Sequence, residues 1–414
     1  MQQVRSSVLG RQFDDHSGEA GFMATAVEHP VLRCAIAALF LSACSTPTAV
    51  APSESSKVPA TAPSTGPATR AEPSAAAAAV AAVPAVTVEP WVWEGASTSF
   101  AGETLITAHY RLNVTLREGS LKKSFPAFAE ESLEHYTSAL GRLPEPPKPL
   151  VSFIFGSRDQ WAEYTKKRLG EDADIYLALG RGGYTMEGES VLFDLGRWDT
   201  FALAAHEGWH QYTQSTFKHA LPIWLEEGLA TYMEGHRWNR GEERPTFVPW
   251  RNFERFGELR EAVRADELIP LDELLEGAPQ KFLRRDGRSK LLTYYAQVWA
   301  LAQFLAEGED GRYRAKLEEI LQDAAAGRIA GKLATSPHLP QGRQRMMSSK
   351  LGRGVILAYF NPDFAEFKAR YDEFVEALTR RGAGDMIWRG ENPLKSAKSD
   401  AAAAAPSKGA SPGE

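Results

Sequence analysis

His206 and His210 stand four residues apart with Glu207 between them, in the run His206-Glu207-Gly208-Trp209-His210. On a helix, positions i and i+4 share a face, so both imidazoles can aim at one point. A second acidic element follows in Trp224-Leu225-Glu226-Glu227-Gly228-Leu229-Ala230, which puts Glu226 and Glu227 sixteen and seventeen residues past His210. Neutral imidazole suits zinc, and a catalytic zinc usually keeps three protein ligands and one open position for water. Two imidazoles from one helix and a carboxylate from the next would complete such a set. Two neighbouring carboxylates compete for the third place. Glu207, beside the first histidine, is placed to reach the water rather than the metal. The chemistry expected is hydrolysis assisted by a single Zn2+.

The elements that carry these residues read as two consecutive helices. Phe201-Ala202-Leu203-Ala204-Ala205 runs apolar into the histidines, and Trp209 and Tyr212 continue the pattern. Such a helix is buried, and bare histidines and a glutamate rarely sit on a buried helix without partners. Pro222 fits the first turn of the second helix. Leu225, Leu229 and Tyr232 fall on one of its faces; Glu227, Ala230, Thr231 and Glu234 fall on another. Glu234, two turns past Glu227, reads either as a partner that orients His206 through its non-ligating nitrogen or as a solvent-facing glutamate.

The motif pair resembles that of the gluzincin metallopeptidases, in which the helix after H-E-x-x-H carries W-L-x-E-G-x-A. The family's ligand glutamate then maps onto Glu227, which leaves Glu226 as an exposed neighbour. The segment between the motifs is slightly shorter than in the aminopeptidases of that group. Over residues 100–382 the chain also resembles a bacterial family of unknown function in the peptidase-MA-like group. In aminopeptidase-like gluzincins a tyrosine from a later helix donates to the tetrahedral oxyanion. Tyr295, in Tyr294-Tyr295-Ala296-Gln297, is the better match, with Tyr294 as its neighbour and plain core as the other reading of both. The resemblance thus implies metal ligands His206, His210 and Glu227, catalytic residues Glu207 and Tyr295, and a peptide or protein substrate. No exopeptidase motif of the G-x-M-E-N kind lies upstream. His109, His219 and His236 have no ligand spacing and read as structural or exposed.

Both ends of the chain differ in composition from its middle. Arg33 precedes an apolar run, Cys34 to Ala43, that ends at Cys44. Ten residues are too few to span a bilayer but match a signal-peptide core. Leu41-Ser42-Ala43-Cys44 resembles a bacterial lipobox, which implies cleavage before Cys44, a lipid on that cysteine, and, with Ser45 next, the outer membrane of a Gram-negative cell. An ordinary secretory signal or a buried apolar segment is the other reading. Residues 1–22 are too polar for the start of a signal, which points to Met23 as the true start. Residues 45–88 are almost wholly Ala, Pro, Ser, Thr and Val, a disordered tether with a reach on the order of 100 Å. Residues 393–414 read as a disordered tail. Cys34 and Cys44 are the only cysteines, so no disulfide can staple the middle of the chain.

The full chain of 414 residues carries 47 basic and 53 acidic side chains. This mild acidity gives no nucleic-acid footprint, which would need a clustered basic face. The stretch from Lys281 to Lys290 is basic and reads as a solvated loop. Membrane association is expected only through a lipid anchor at Cys44.

The fold class expected is α+β and zincin-like, with a small mixed sheet and the active-site helices over 89–238 and a mostly helical subdomain over 239–392. Strands are expected at Thr104 to Thr115 and Leu150 to Phe155, and a hairpin at Gly182 to Leu195 turning at Glu187-Gly188-Glu189. Ser190 to Leu195 is the candidate edge strand for pairing with an extended peptide. Helices are expected around Phe125 to Leu140, from a Ser157 cap to Leu169, and at Asp272 to Leu275, Lys290 to Leu305, Tyr313 to Asp323 and Asp363 to Leu378. Residues 328–356 read as a loop. Two alternatives stand beside the peptidase: a catalytically silent zincin-fold lipoprotein that acts as a binding module, and a hydrolase of a non-peptide substrate on the same metal.

Overall fold

The computed structural model describes residues 35–36, 85–94, 99–178, 182–239, 241, 243–282, 290–339 and 352–395. The lipobox expected at Cys44, the expected tether up to residue 84, the expected tail from residue 396 and most of the basic stretch at 281–290 lie outside the described residues. The fold is mixed α+β, a small sheet followed by a predominantly helical half.

Strands β1 (Ala35–Ile36), β2 (Thr87–Glu94), β3 (Ser99–Ile106), β4 (Tyr110–Val114), β5 (Leu150–Phe155), β6 (Tyr184–Met186) and β7 (Glu189–Phe193) form one sheet in the order β1-β6-β7-β5-β4-β3-β2. The β4–β5 and β5–β7 pairs are parallel and the others antiparallel. Parallel neighbours need crossovers. Helix α1 (Ser120–Ser138) supplies the first; α2 (Arg158–Leu169) and α3 (Ala173–Leu177) supply the second. Along β5 the faces alternate with a period of two. Leu150 and Ile154 join the core under α1, whereas Phe153 and Phe155 pack with Trp161 and Tyr164 of α2.

Three expectations need correction. Thr104 to Thr115 is not one strand: the chain turns at Thr107–His109, and β3 and β4 pair antiparallel on either side. Ser190 to Leu195 does not form the sheet edge, because Glu189–Phe193 is hydrogen-bonded between β5 and β6. The strand outside it is β6, and its far side pairs with Ala35–Ile36. Residues 328–356 are not all loop, since α10 (Ile329–Thr335) and a helical turn from Gly352 occupy part of them. The hairpin turn lies at Glu187 and Gly188, both at positive φ (55° and 77°), as two-residue hairpin loops require. Strand β2 begins at Thr87, inside the segment expected as tether.

Helix α4 (Arg197–Thr216) lies across the sheet beside α1. Next come α5 (Ile223–Met233), α6 (Phe253–Arg264), α7 (Leu271–Glu276), α8 (Leu291–Glu307), α9 (Arg314–Ala326), α10 and the helix Phe364–Leu378. Asp363 caps the last of these through the amides of Ala365 and Glu366. Its stripe of Phe364, Phe367, Tyr371 and Phe374 is core. That core is continuous from Leu105 of β3 to Ile387.

Candidate metal centre

Helix α4 is buried on three sides, and each side has its own stripe. Phe201, Ala205, Trp209 and Tyr212 face the core, with Trp209 and Tyr212 against Tyr136 of α1. Gly208 makes the approach of α1 possible: a Cβ there would sit 2.5 Å from the Tyr136 hydroxyl, which donates to the Ala205 carbonyl. Glu207, Gln211 and Gln214, at i, i+4 and i+7, grip the β6–β7 hairpin. The Thr185 hydroxyl donates to Glu207, the Gln211 amide donates to the carbonyls of Val151 and Gly188, and the Gly188 N–H donates to Gln214. His206, His210 and Thr213 form the third stripe and face the acids that follow in sequence.

The structure brings His206, His210 and Glu227 together. One ligating atom from each lies within 4.8 Å of the others. The Glu227 Oε2 atom is 3.5 Å from His206 Nε2 and 3.7 Å from His210 Nε2. None of these three atoms has a hydrogen-bond partner, although all are buried. Other buried polar atoms, such as Trp209 Nε1 and Trp224 Nε1, also lack partners, but these three converge on one point, and that convergence fits a cation. Burial opposes ionisation of Glu227, yet the imidazoles of His210 and His206 hold its carboxyl at about 2.

A second layer fixes the rings. His206 Nδ1 lies 2.9 Å from Glu234 Oε1, and His210 Nδ1 lies 2.9 Å from Glu226 Oε1. A carboxylate can only accept, so each Nδ1 carries the proton and each Nε2 presents a lone pair to the same side. Glu226 is therefore not the exposed neighbour expected: it also accepts from the Thr213 hydroxyl, and its side chain is 18% exposed. Glu234 is not solvent-facing either. It is buried and accepts from Asn252 Nδ2 at 2.7 Å and from Arg255 Nη2 at 2.8 Å. Burial pushes its pKa up, but Arg255 and His206 outweigh that and hold it at about 2.

Glu207 is fully buried beside the triad. Its Oε2 accepts from Thr185 Oγ1 at 2.6 Å, and its Oε1 has no partner. Burial raises its pKa above the ordinary value, against the pull of the two imidazoles. Tyr294 and Tyr295, on α8, are also fully buried. The Tyr295 ring meets His206 edge-on at 6.1 Å and lies under the Arg255 guanidinium at 5.3 Å. The Tyr294 hydroxyl is buried with no hydrogen-bond partner. Burial, reinforced by the Glu227 carboxylate, raises both phenols well above their usual value. Close packing of α5 on α8 sets this arrangement. A Cβ on Gly228 would lie 2.7 Å from the Val298 carbonyl, so the residue after Glu227 has to be small.

The other histidines do not join the centre. His109 pairs with Glu130, and His236 donates from Nδ1 to the Glu234 carbonyl while it stacks on Trp198. Sequence reasoning missed Arg255, Asn252 and Thr185. Asn252, which caps α6, carried a local signal; the other two carried none. No protein-family model and no curated protein matches this chain.

Proposed function

We propose that the chain is a zinc-dependent metallopeptidase of gluzincin type, built on a zincin-like fold. The observation that carries the proposal is the convergence of two Nε2 lone pairs and one Glu227 oxygen, all buried and unpartnered, beside a glutamate with one free oxygen. His206, His210 and Glu227 would hold the metal; two neutral imidazoles and one carboxylate suit zinc. When bound, zinc supplies Lewis acidity and brings the pKa of water toward neutrality. Glu207, its carboxylate affinity for protons raised by burial, takes a proton at Oε1 and returns it to the leaving amine. Tyr295 donates its phenol hydrogen to the oxygen on which charge develops, and the unpartnered Tyr294 hydroxyl stands beside it. The substrate is a peptide or protein.

The leader reading makes this a lipid-anchored envelope protein, held at Cys44. Among the described residues no helix is long and apolar enough to cross a membrane. A second reading, a silent zincin-fold binding module, draws on the burial of all three candidate ligand atoms. Metal analysis of the purified chain, followed by digestion of a peptide library with and without a chelator, separates the two. Chelator-sensitive cleavage that Glu207→Gln abolishes supports the peptidase. Stoichiometric metal with no cleavage supports the binding module.

A further inference from the structure

Thr185 sits in the middle of β6, opposite Ser190 of β7 on one side and Ala35 on the other. Its side chain is fully buried against α4. The hydroxyl oxygen lies 2.6 Å from Glu207 Oε2 and 3.0 Å from the Glu207 carbonyl. A threonine has one hydroxyl proton to give, and the shorter contact to a charged acceptor is the stronger bond. Among the described residues Thr185 is the only hydrogen-bond partner of that carboxylate, whose other oxygen is buried and unpartnered. A buried carboxylate with no such bond would be free to turn about its terminal torsion, which is broad and roughly two-fold.

We propose that Thr185 is a positioning residue for the general base: by pinning Oε2 it leaves Oε1 as the single oxygen of Glu207 presented for proton transfer. This rests on the peptidase reading for its catalytic meaning, but the hold itself does not. The binding of the strand to the base is also a sequence-distant one, since 22 positions separate the two residues. The remaining grips of α4 on the hairpin, through Gln211 and Gln214, do not touch Glu207 and so would persist without the hydroxyl.

Two measurements test it. In the metal-free protein, a double-mutant cycle of Thr185→Val, Glu207→Ala and the pair reads the coupling from unfolding midpoints. The expected result is that the pair shifts the midpoint by clearly less than the two single shifts added. In Glu207→Ala the hydroxyl can turn to the residue-207 carbonyl, so the coupling reads the excess of the charged bond over that neutral one. Additive shifts would overturn the proposal. In the metal-loaded protein, Thr185→Val should retain metal and KM while kcat falls roughly 10- to 100-fold, the usual range for a second-layer partner. Thr185→Ser, which keeps the hydroxyl, should recover most of the loss. A kcat untouched by Thr185→Val would reduce the residue to packing and overturn the proposal. A fully metallated wild type that cleaves nothing would defeat the peptidase reading instead, and the cycle would still decide whether Thr185 holds Glu207.

Discussion

Glu226 and Glu227, consecutive on α5, address opposite nitrogens of the same imidazole: Glu226 Oε1 lies 2.9 Å from His210 Nδ1, and Glu227 Oε2 lies 3.7 Å from His210 Nε2. The pair assigns different consequences to two chemically identical changes. Glu227→Gln replaces an anionic metal donor and should all but abolish metal retention after dialysis. Glu226→Gln leaves the donor set intact but weakens the bond that fixes the ring and its tautomer. Its metal affinity should drop about 10- to 100-fold, as second-layer changes do. Competition titration with a chromophoric chelator ranks the two; equal losses would mean that the roles are not divided.

Glu207 makes a stability prediction as well as a catalytic one. Its folded-state pKa is raised by burial. For an acid this means that the charged form is penalised in the folded state, and the penalty is present at neutral pH and relieved as pH falls through the raised pKa. Glu207→Gln should therefore make the metal-free protein more stable than wild type at pH 7, with the gain shrinking toward acidic pH. Metal content should be unchanged and turnover lost. Thermal unfolding across pH checks the first statement, and metal analysis with a peptide assay checks the others.

Arg255 and Glu234 form a fully buried ion pair behind His206. Removal of the cation strands a buried carboxylate, which typically costs about 3–5 kcal/mol. Arg255→Leu should lose that much in denaturant unfolding, and Arg255→Lys should recover little, because Nε and Nη2 bind both carboxylate oxygens and an ammonium cannot. The pH dependence has a definite sign. With the Glu234 pKa depressed to about 2 from the ordinary 4.5, its stabilising contribution is complete above the ordinary value and is lost as pH falls from there toward 2. That acid-side loss should be smaller in Arg255→Leu.

The parts of this centre that were legible in sequence are the parts fixed by local spacing. His206, Glu207 and His210 share one helix, and the i, i+4 period placed both rings on one side. The role of Glu226 was not legible: adjacency put it next to the candidate ligand Glu227, and only the approach of α4 to α5 decides which nitrogen it meets. Arg255 lies on an amphipathic helix with several other charges, and nothing local separates it from a surface arginine; its partner is 21 residues away. The β6–β7 hairpin could be read from its turn, but the sheet edge could not. Strand order depends on β5 inserting beside β7 through a long crossover, which no periodicity records. The break at Thr107–His109 also escaped, since no glycine or proline marks it.

Gly228 ties the second motif to helix packing rather than to chemistry. A methyl group there would press on the Val298 carbonyl at 2.7 Å, and backbone on both sides has no flexible end to yield. Gly228→Ala should force α5 away from α8, cost about 1–3 kcal/mol as overpacking does, and move Glu227, one residue away, off the imidazole pair. Weaker metal binding together with a lowered unfolding midpoint is the expected result. Full metal affinity in Gly228→Ala would show that the centre tolerates the displacement.

The two tyrosines of α8 should separate by phenotype. The Tyr294 hydroxyl is buried and unpartnered, so in the metal-free protein it carries a desolvation cost that Tyr294→Phe removes. That variant should unfold at a slightly higher midpoint than wild type. Tyr295 meets His206 edge-on and carries the Arg255 guanidinium over its ring, contacts that a phenylalanine keeps in part. Tyr295→Phe should leave the fold and the metal in place and lower kcat about 10- to 100-fold with little change in KM, the pattern of a donor used only as charge develops. The same kinetic loss in Tyr294→Phe, with Tyr295→Phe silent, would transfer the donor role to Tyr294. Steady-state kinetics on one peptide substrate, run with both variants at equal metal content, makes that assignment.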